Sequence, residues 1–359
     1  MRVRATGCAE QFSLRVRTFA FAARCFIVFA AASCASQTSW LSRAPVGASP
    51  VFADRFPERV VRFDDGVEGR ADLTYATIPG FRPLTLDLYS PSARRAGSFP
   101  LVVFVHGGAW MGGHARHSGA LENFPTFLAA LSARGYVVAS VNYRLSGEAR
   151  FPGPVQDVRQ AIRWLRANSA AYRIDASRVV VWGASAGGHL AALNALACAE
   201  PRFDPPPLDT PSGRGVDDCV QGLVLWYAPS NFETLAASQA DGAQTPDAKL
   251  LGCALRACAA DLLRLASPSF HVSPDDPPVL LLHGREDEVV PFAQSVDLEA
   301  RLRAAGVDVE FARLDGARHS FIGPNAEATR AATLAALERT IRFIDRVARA
   351  EAQDERRSD

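Results

Sequence analysis

The sequence predicts a doubly wound α/β fold whose sheet is mostly parallel, and three observations carry that prediction. First, five continuous apolar runs occur: Leu101-Val-Val-Phe-Val105, Tyr136-Val-Val-Ala-Ser-Val141, Val179-Val-Val-Trp182, Leu223-Val-Leu-Trp226 and Val279-Leu-Leu-Leu282. They lack the alternation of a half-wet strand and suit strands covered on both faces, as in a parallel sheet flanked by helices. Second, helical stretches separate the runs, and such alternation over this length is the doubly wound pattern. Third, residues 71–77 and 84–89 alternate polar and apolar, as antiparallel strands with one solvated face do.

Composition narrows the function. The 359 residues are 48% hydrophobic, ample for a large core, and the net charge of +1 argues against a nucleic-acid partner. No repeat of solenoid or propeller length is present.

In chain order, the first element is not part of the fold. Arg2, Arg4, Arg15, Arg17 and Arg24 precede an apolar stretch, Cys25-Phe-Ile-Val-Phe-Ala-Ala-Ala32, too short for a permanent membrane span. Small residues follow, so 1–33 has the layout of a secretory signal. Ala30-Ala-Ala32 suits ordinary signal cleavage, whereas Ala31-Ala-Ser-Cys34 resembles a bacterial lipoprotein box that would place a lipid on Cys34. Ala31 stands where that box usually carries leucine. Both readings lead to export, with a periplasmic or membrane-anchored protein as the outcome. A Ser-, Ala- and Pro-rich tether is expected over 34–55, a folded domain over 56–350 and a polar tail over 351–359.

Helices are expected over 121–133, 155–168, 292–305 and 326–348, with a last strand at 309–314. The interval 231–275, between the sixth and seventh strands of this reading, exceeds a simple crossover. It reads as an insertion, either a lid or pocket wall or a structural excursion away from substrate. Four of the seven cysteines lie in the folded part, and the pairs nearest in sequence are Cys198 with Cys219 and Cys253 with Cys258. An oxidising compartment would allow both bridges.

Chemistry is expected where Val179-Val-Val-Trp182 turns into the helix-forming run Leu190-Ala-Ala-Leu-Asn-Ala-Leu-Ala197. Between them Gly183-Ala-Ser-Ala-Gly187 fits G-x-S-x-G, a sharp turn that exposes a serine at the carboxyl end of a sheet. Ser185 is therefore the candidate nucleophile. A serine hydroxyl needs a base to take its proton and an acid to hold that base. Of seven histidines, His319 follows the last strand, in the place of a base loop. Asp287 follows the preceding strand, in His283-Gly-x-x-Asp287, with Glu286 and Glu288 as solvent-facing neighbours. The order serine, acid, histidine is the one this architecture uses. Gly108 and Ala109, in His106-Gly-Gly-Ala-Trp110, and Ala186 after the nucleophile offer backbone N–H groups for an oxyanion. Trp110 is either a substrate-binding wall or core filling. His114 and His117 lack a nearby carboxylate, so no metal site is expected.

These residues, with Asn142-Tyr-Arg144, Asp157 and His319-Ser-Phe321, resemble the α/β-hydrolases. They are most similar to carboxylesterases of the BD-FAE (feruloyl-esterase-like) and hormone-sensitive-lipase-like branches, over about Ala71 to Arg346. The resemblance implies ester hydrolysis through an acyl-enzyme with no cofactor, a small-molecule ester as partner, and structural roles for Arg144 and Asp157. Ala109 stands where the lipase-like branch has a third glycine, and Ala184 where it has an acidic residue; both departures favour the feruloyl-esterase-like branch. The expected function is an exported serine hydrolase of short-chain or aryl esters. An arylformamidase-like amide hydrolase and a non-catalytic ligand-binding hydrolase fold are the alternatives.

Overall fold

The computed structural model describes residues 59–358 apart from 120, 207–215 and 239–241, with side chains as far as 348. The signal segment 1–33, Cys34 and the tether 34–55 lie outside the described residues. The strands are β1 (Arg59–Arg62), β2 (Glu68–Ala76), β3 (Leu84–Ser90), β4 (Phe99–Val105), β5 (Val137–Val141), β6 (Ile174–Ala184), β7 (Gly222–Trp226), β8 (Val279–Gly284) and β9 (Val309–Leu314). The helices are α1 (Phe124–Ala133), α2 (Gly153–Ala167), α3 (Ser169–Tyr172), α4 (Ala186–Leu196), α5 (Phe232–Ser238), α6 (Pro246–Leu251), α7 (Ala260–Leu265), α8 (Ala293–Ala304) and α9 (Ala326–Ser358).

All nine strands form one sheet in the order β1-β2-β3-β5-β4-β6-β7-β8-β9. The pairs from β1 to β5 are antiparallel, and every pair from β5 through β4 to β9 is parallel. The apolar runs fill this parallel part for the expected reason. Along β4, Leu101, Val103 and Val105 enter one core while Val102 and Phe104 enter the other. Strand β6 divides the same way, Val179 and Val181 against Val180 and Trp182, so neither face tolerates a polar position. Helices α2 and α4 cover the first face, through Val155, Val158, Ile162, Leu190 and Leu193. On the second, α1 and α9 contribute Leu128, Ala336, Phe343 and Ile344.

One strand was not expected. Strand β1 adds to the antiparallel edge with all four residues exposed, and Arg59-Val-Val-Arg62 shows no alternation because neither face is buried. The insertion therefore follows the seventh strand rather than the sixth. It carries α5, α6 and α7, with one 3₁₀ turn between α6 and α7 and another after α7. The stretch read as a polar tail continues α9 to Ser358. Both expected disulfides are formed, Cys198–Cys219 and Cys253–Cys258, each with a Cα–Cα distance of 5.3 Å.

Strand order reverses between β5-β4 and β6, so the loops leaving β4 and β6 diverge and open a crevice at the carboxyl edge. That crevice holds the expected site.

Candidate active site

Ser185 sits between β6 and α4 with φ 53° and ψ −124°, a conformation that costs a non-glycine residue about 1–3 kcal/mol. The turn is closed by Ser185 N–H donating to Trp226 O (2.9 Å) and His189 N–H to Ser185 O (3.1 Å). It also demands glycine on either side. A β-carbon on Gly183 would lie 2.3 Å from Gly187 O, and one on Gly187 would lie 2.2 Å from Val105 O. Close packing of β4, β6 and α4 thus explains the motif at the atomic level.

The loops after β8 and β9 bring the other two residues. His319 Nε2 lies 3.1 Å from Ser185 Oγ, and His319 Nδ1 lies 2.8 Å from Asp287 Oδ2. A carboxylate on the Nδ1 side fixes the proton there, leaving Nε2 free to accept the serine proton. Asp287 is buried, and its other oxygen, Oδ1, accepts the N–H groups of Val289 (2.9 Å) and Val290 (2.8 Å). Burial alone would push this carboxyl up. Hydrogen bonds from His283 and His319, the neighbouring His319 and the Val290 N–H outweigh burial and hold it well below the usual carboxylate range. Glu286 and Glu288 are exposed.

Two contributors were missing from the sequence reading. His283 is fully buried at the end of β8; its Nε2–H is shared between Val290 O (3.0 Å) and Asp287 Oδ2 (3.2 Å), and Ser295 Oγ–H donates to its Nδ1 (2.7 Å). The i, i+4 spacing in His283-Gly-x-x-Asp287 was the available signal. Tyr227, the residue after β7, stands edge-on to His319 (4.7 Å between centroids) and to Phe321 (4.7 Å). Burial pushes its phenol well up, and the Ser320 side chain beside the hydroxyl opposes that shift. One ring therefore touches three consecutive residues of the base loop. That loop holds Ser320 and Phe321 in left-handed conformations (φ 61° and 59°). Nothing in the local sequence marks Tyr227, since its partners come from a distant loop.

Gly108 and Ala109 have φ 116° and 54°, and with Gly107 and Ser185 they line a cavity of about 490 Å³. The turn is held by Met111 and Gly112 N–H groups donating to Gly108 O (both 3.0 Å). Among the described residues no protein acceptor takes the N–H of Gly108 or Ala109. Ala186, at the first turn of α4, adjoins the nucleophile on the other side. Beneath the loop, His106 stacks on Tyr143 at 4.4 Å, and burial lowers its pKa to about 4, so it stays neutral.

Trp110 is not brought to this cavity. It is 5% exposed, with its ring against His189 (5.3 Å) and Phe232 (5.9 Å), and its carbonyl accepts the Ser146 N–H at 2.7 Å. Its position is that of core filling beneath the glycine loop. None of the described residues lining the cavity comes from 231–275. His189 is also buried, with Nε2–H donating to Ala266 O at 2.7 Å, and burial lowers its pKa to about 4. Arg144 and Asp157 form a paired bridge at 2.6 Å between the loop after β5 and α2.

The BD-FAE family model matches residues 86–302, and the dienelactone hydrolase family model matches residues 266–348. Esterase LipQ of Mycobacterium tuberculosis is 32% identical over 256 residues, covering 70% of this chain and 57% of that protein. Esterase LipC of the same organism is 33% identical over 245 residues, covering 64% of this chain and 56% of that protein. The chain thus spans little more than half the length of these two relatives. Among solved structures, the truncated form of a carbohydrate esterase from gut microbiota matches with a TM-score of 0.63 at 28% identity, over 77% of this chain and 98% of that one.

Proposed function

The chain belongs to the BD-FAE family of α/β-hydrolases, and from that premise we propose that it is a serine carboxylesterase acting on short-chain or aryl esters. The observation that carries the proposal is the unbroken hydrogen-bonded line Ser185 Oγ, His319 Nε2, His319 Nδ1, Asp287 Oδ2, at 3.1 and 2.8 Å. In this reading His319 takes the Ser185 proton as Oγ attacks the ester carbonyl carbon. The carbonyl oxygen becomes an oxyanion held by the N–H groups of Gly108, Ala109 and Ala186. His319 then gives the proton to the departing alcohol oxygen, leaving an acyl group on Ser185. A water, deprotonated by the same histidine, attacks the acyl carbon, and Ser185 recovers its proton as the acid leaves. Asp287 keeps its charge throughout and stabilises the imidazolium that forms twice per turnover.

We further propose that the protein is exported, with 1–33 as the signal and Cys34 as the point of lipidation. The basic and apolar layout of that segment supports this, as do the two disulfides, which suit an oxidising compartment. Reaction of the folded protein with a fluorophosphonate probe tests the serine mechanism. Labelling is expected on Ser185 and should vanish in Ser185→Ala; an unlabelled Ser185 in folded protein would leave only a ligand-binding role. Globomycin treatment of expressing cells tests lipidation through accumulation of the uncleaved precursor.

A further inference from the structure

We infer that Val289 and Ile322 form the subsite for the leaving alcohol, and that this subsite takes an apolar benzylic, aryl or branched-alkyl alcohol rather than a polyol. The inference rests on the esterase reading above and deepens it. The direction comes from proton transfer. His319 Nε2 lies 3.1 Å from Ser185 Oγ and must deliver its proton to the departing oxygen. The alcohol portion of a bound ester therefore lies beside His319. The carbonyl oxygen turns the other way, toward Gly108, Ala109 and Ala186.

The surface beside His319 is apolar. Val289 is 57% exposed and Ile322 43% exposed, and both line the cavity that contains Ser185. Both also continue into an adjoining hollow of about 230 Å³, which His319 shares. Single exposed aliphatic residues are ordinary on a protein surface. Two of them on one imidazole, within a concave wall, form a ligand surface.

The pair is also held in place before any ligand arrives. The Val289 N–H donates to Asp287 Oδ1 at 2.9 Å, so the bond that anchors the acid also fixes the Val289 backbone. Ile322 closes a tight turn around the base: Arg318 N–H donates to Ile322 O (2.8 Å) and Ile322 N–H to His319 O (3.3 Å). A polyol placed against these side chains would lose water from its hydroxyls without gaining partners, which disfavours it. Glu288 and Arg318 line the hollow alone, whereas Val289 and Ile322 also line the main cavity beside His319.

Benzyl acetate and methyl phenylacetate are isomers that carry the same phenylmethyl group on opposite sides of the ester. The ratio of their kcat/KM values reads the alcohol side against the acyl side. In the full-length protein the ratio should favour benzyl acetate, and in Val289→Thr and Ile322→Thr it should fall by about fivefold or more, through KM. Threonine keeps the shape of valine, so the fall in Val289→Thr reports polarity rather than a cavity, whereas Ile322→Thr also removes one methyl group. An unchanged ratio in both variants, or faster hydrolysis of peracetylated xylose than of benzyl acetate, overturns the inference while leaving the esterase reading intact. Absence of hydrolysis of all three esters, with no fluorophosphonate labelling, removes both.

Discussion

At the scale of single residues, the site is built by strain and by bonds that fix orientation. Ser185 and the base-loop residues Ser320 and Phe321 all have positive φ, and each is held by packing that a mutation can release. Asp287 is held more firmly than orientation of one histidine needs, accepting from His319, His283, Val289 and Val290. Asp287→Asn should therefore keep the fold, yet lower kcat by about 10³–10⁴-fold, because the amide no longer holds the Nδ1 proton of His319. Steady-state rates on p-nitrophenyl acetate check this, and a loss below tenfold would remove Asp287 from the triad. Tyr227 acts through His319 rather than on substrate. Tyr227→Phe keeps both ring contacts and loses only the hydroxyl beside Ser320, so kcat should fall by no more than about a few-fold. Tyr227→Ala should cost far more in kcat than in KM. Equal effects on KM would place Tyr227 at the substrate instead.

At the scale of elements, what was legible followed from burial. Strands β4, β6, β7 and β8 were readable because their central runs, such as Val179–Trp182 of β6, are buried and apolar at every position. Strand β1 was not, since its residues are exposed and pattern carries no information there. Ser185, Asp287 and His319 were readable because each follows a strand in a fixed order. His283 and Tyr227 were not, because their roles arise from contacts between loops far apart in sequence. Trp110 shows the same limit: large aromatic residues next to a glycine loop serve cavity and core alike, and only packing against His189 and Phe232 separates the two. The disulfides differ in what they close. Cys198–Cys219 spans 21 positions across the end of α4, and its removal by paired serine substitutions should cost about 2–4 kcal/mol in urea unfolding. Cys253–Cys258 spans 5 positions, so its global effect should be smaller. Cys253 and Met111 line a hollow separate from the cavity that holds Ser185, so that loss should leave KM, like the melting temperature, little changed. Equal melting temperatures for the two paired variants would contradict this division.

At the scale of the whole molecule, the two cores meet at a site bracketed by neutral buried histidines. His106 anchors the glycine loop from the end of β4, and His189 lies in α4 behind the nucleophile. Burial lowers both to about 4, while an unfolded histidine titrates near pH 6.5. The unfolded chain therefore binds more protons than the folded one between those values, and acid favours unfolding. Their contribution is complete above about pH 6.5, is lost as pH falls toward 4, and amounts to on the order of 2–3 kcal/mol for each histidine. Asp287 is shifted the same way, below the range of an unfolded carboxylate, so its contribution persists to lower pH and goes only below about pH 4. Urea unfolding from pH 7.5 to 4.5 should thus show a progressive fall in stability, before any carboxylate of the triad titrates. Replacing His189 by Asn should flatten part of that slope, since the amide cannot take up the proton. A slope unchanged in His189→Asn would mean that acid reaches the fold through other groups, and that His189 is not kept neutral by its burial against Ala266, Trp110 and Phe232.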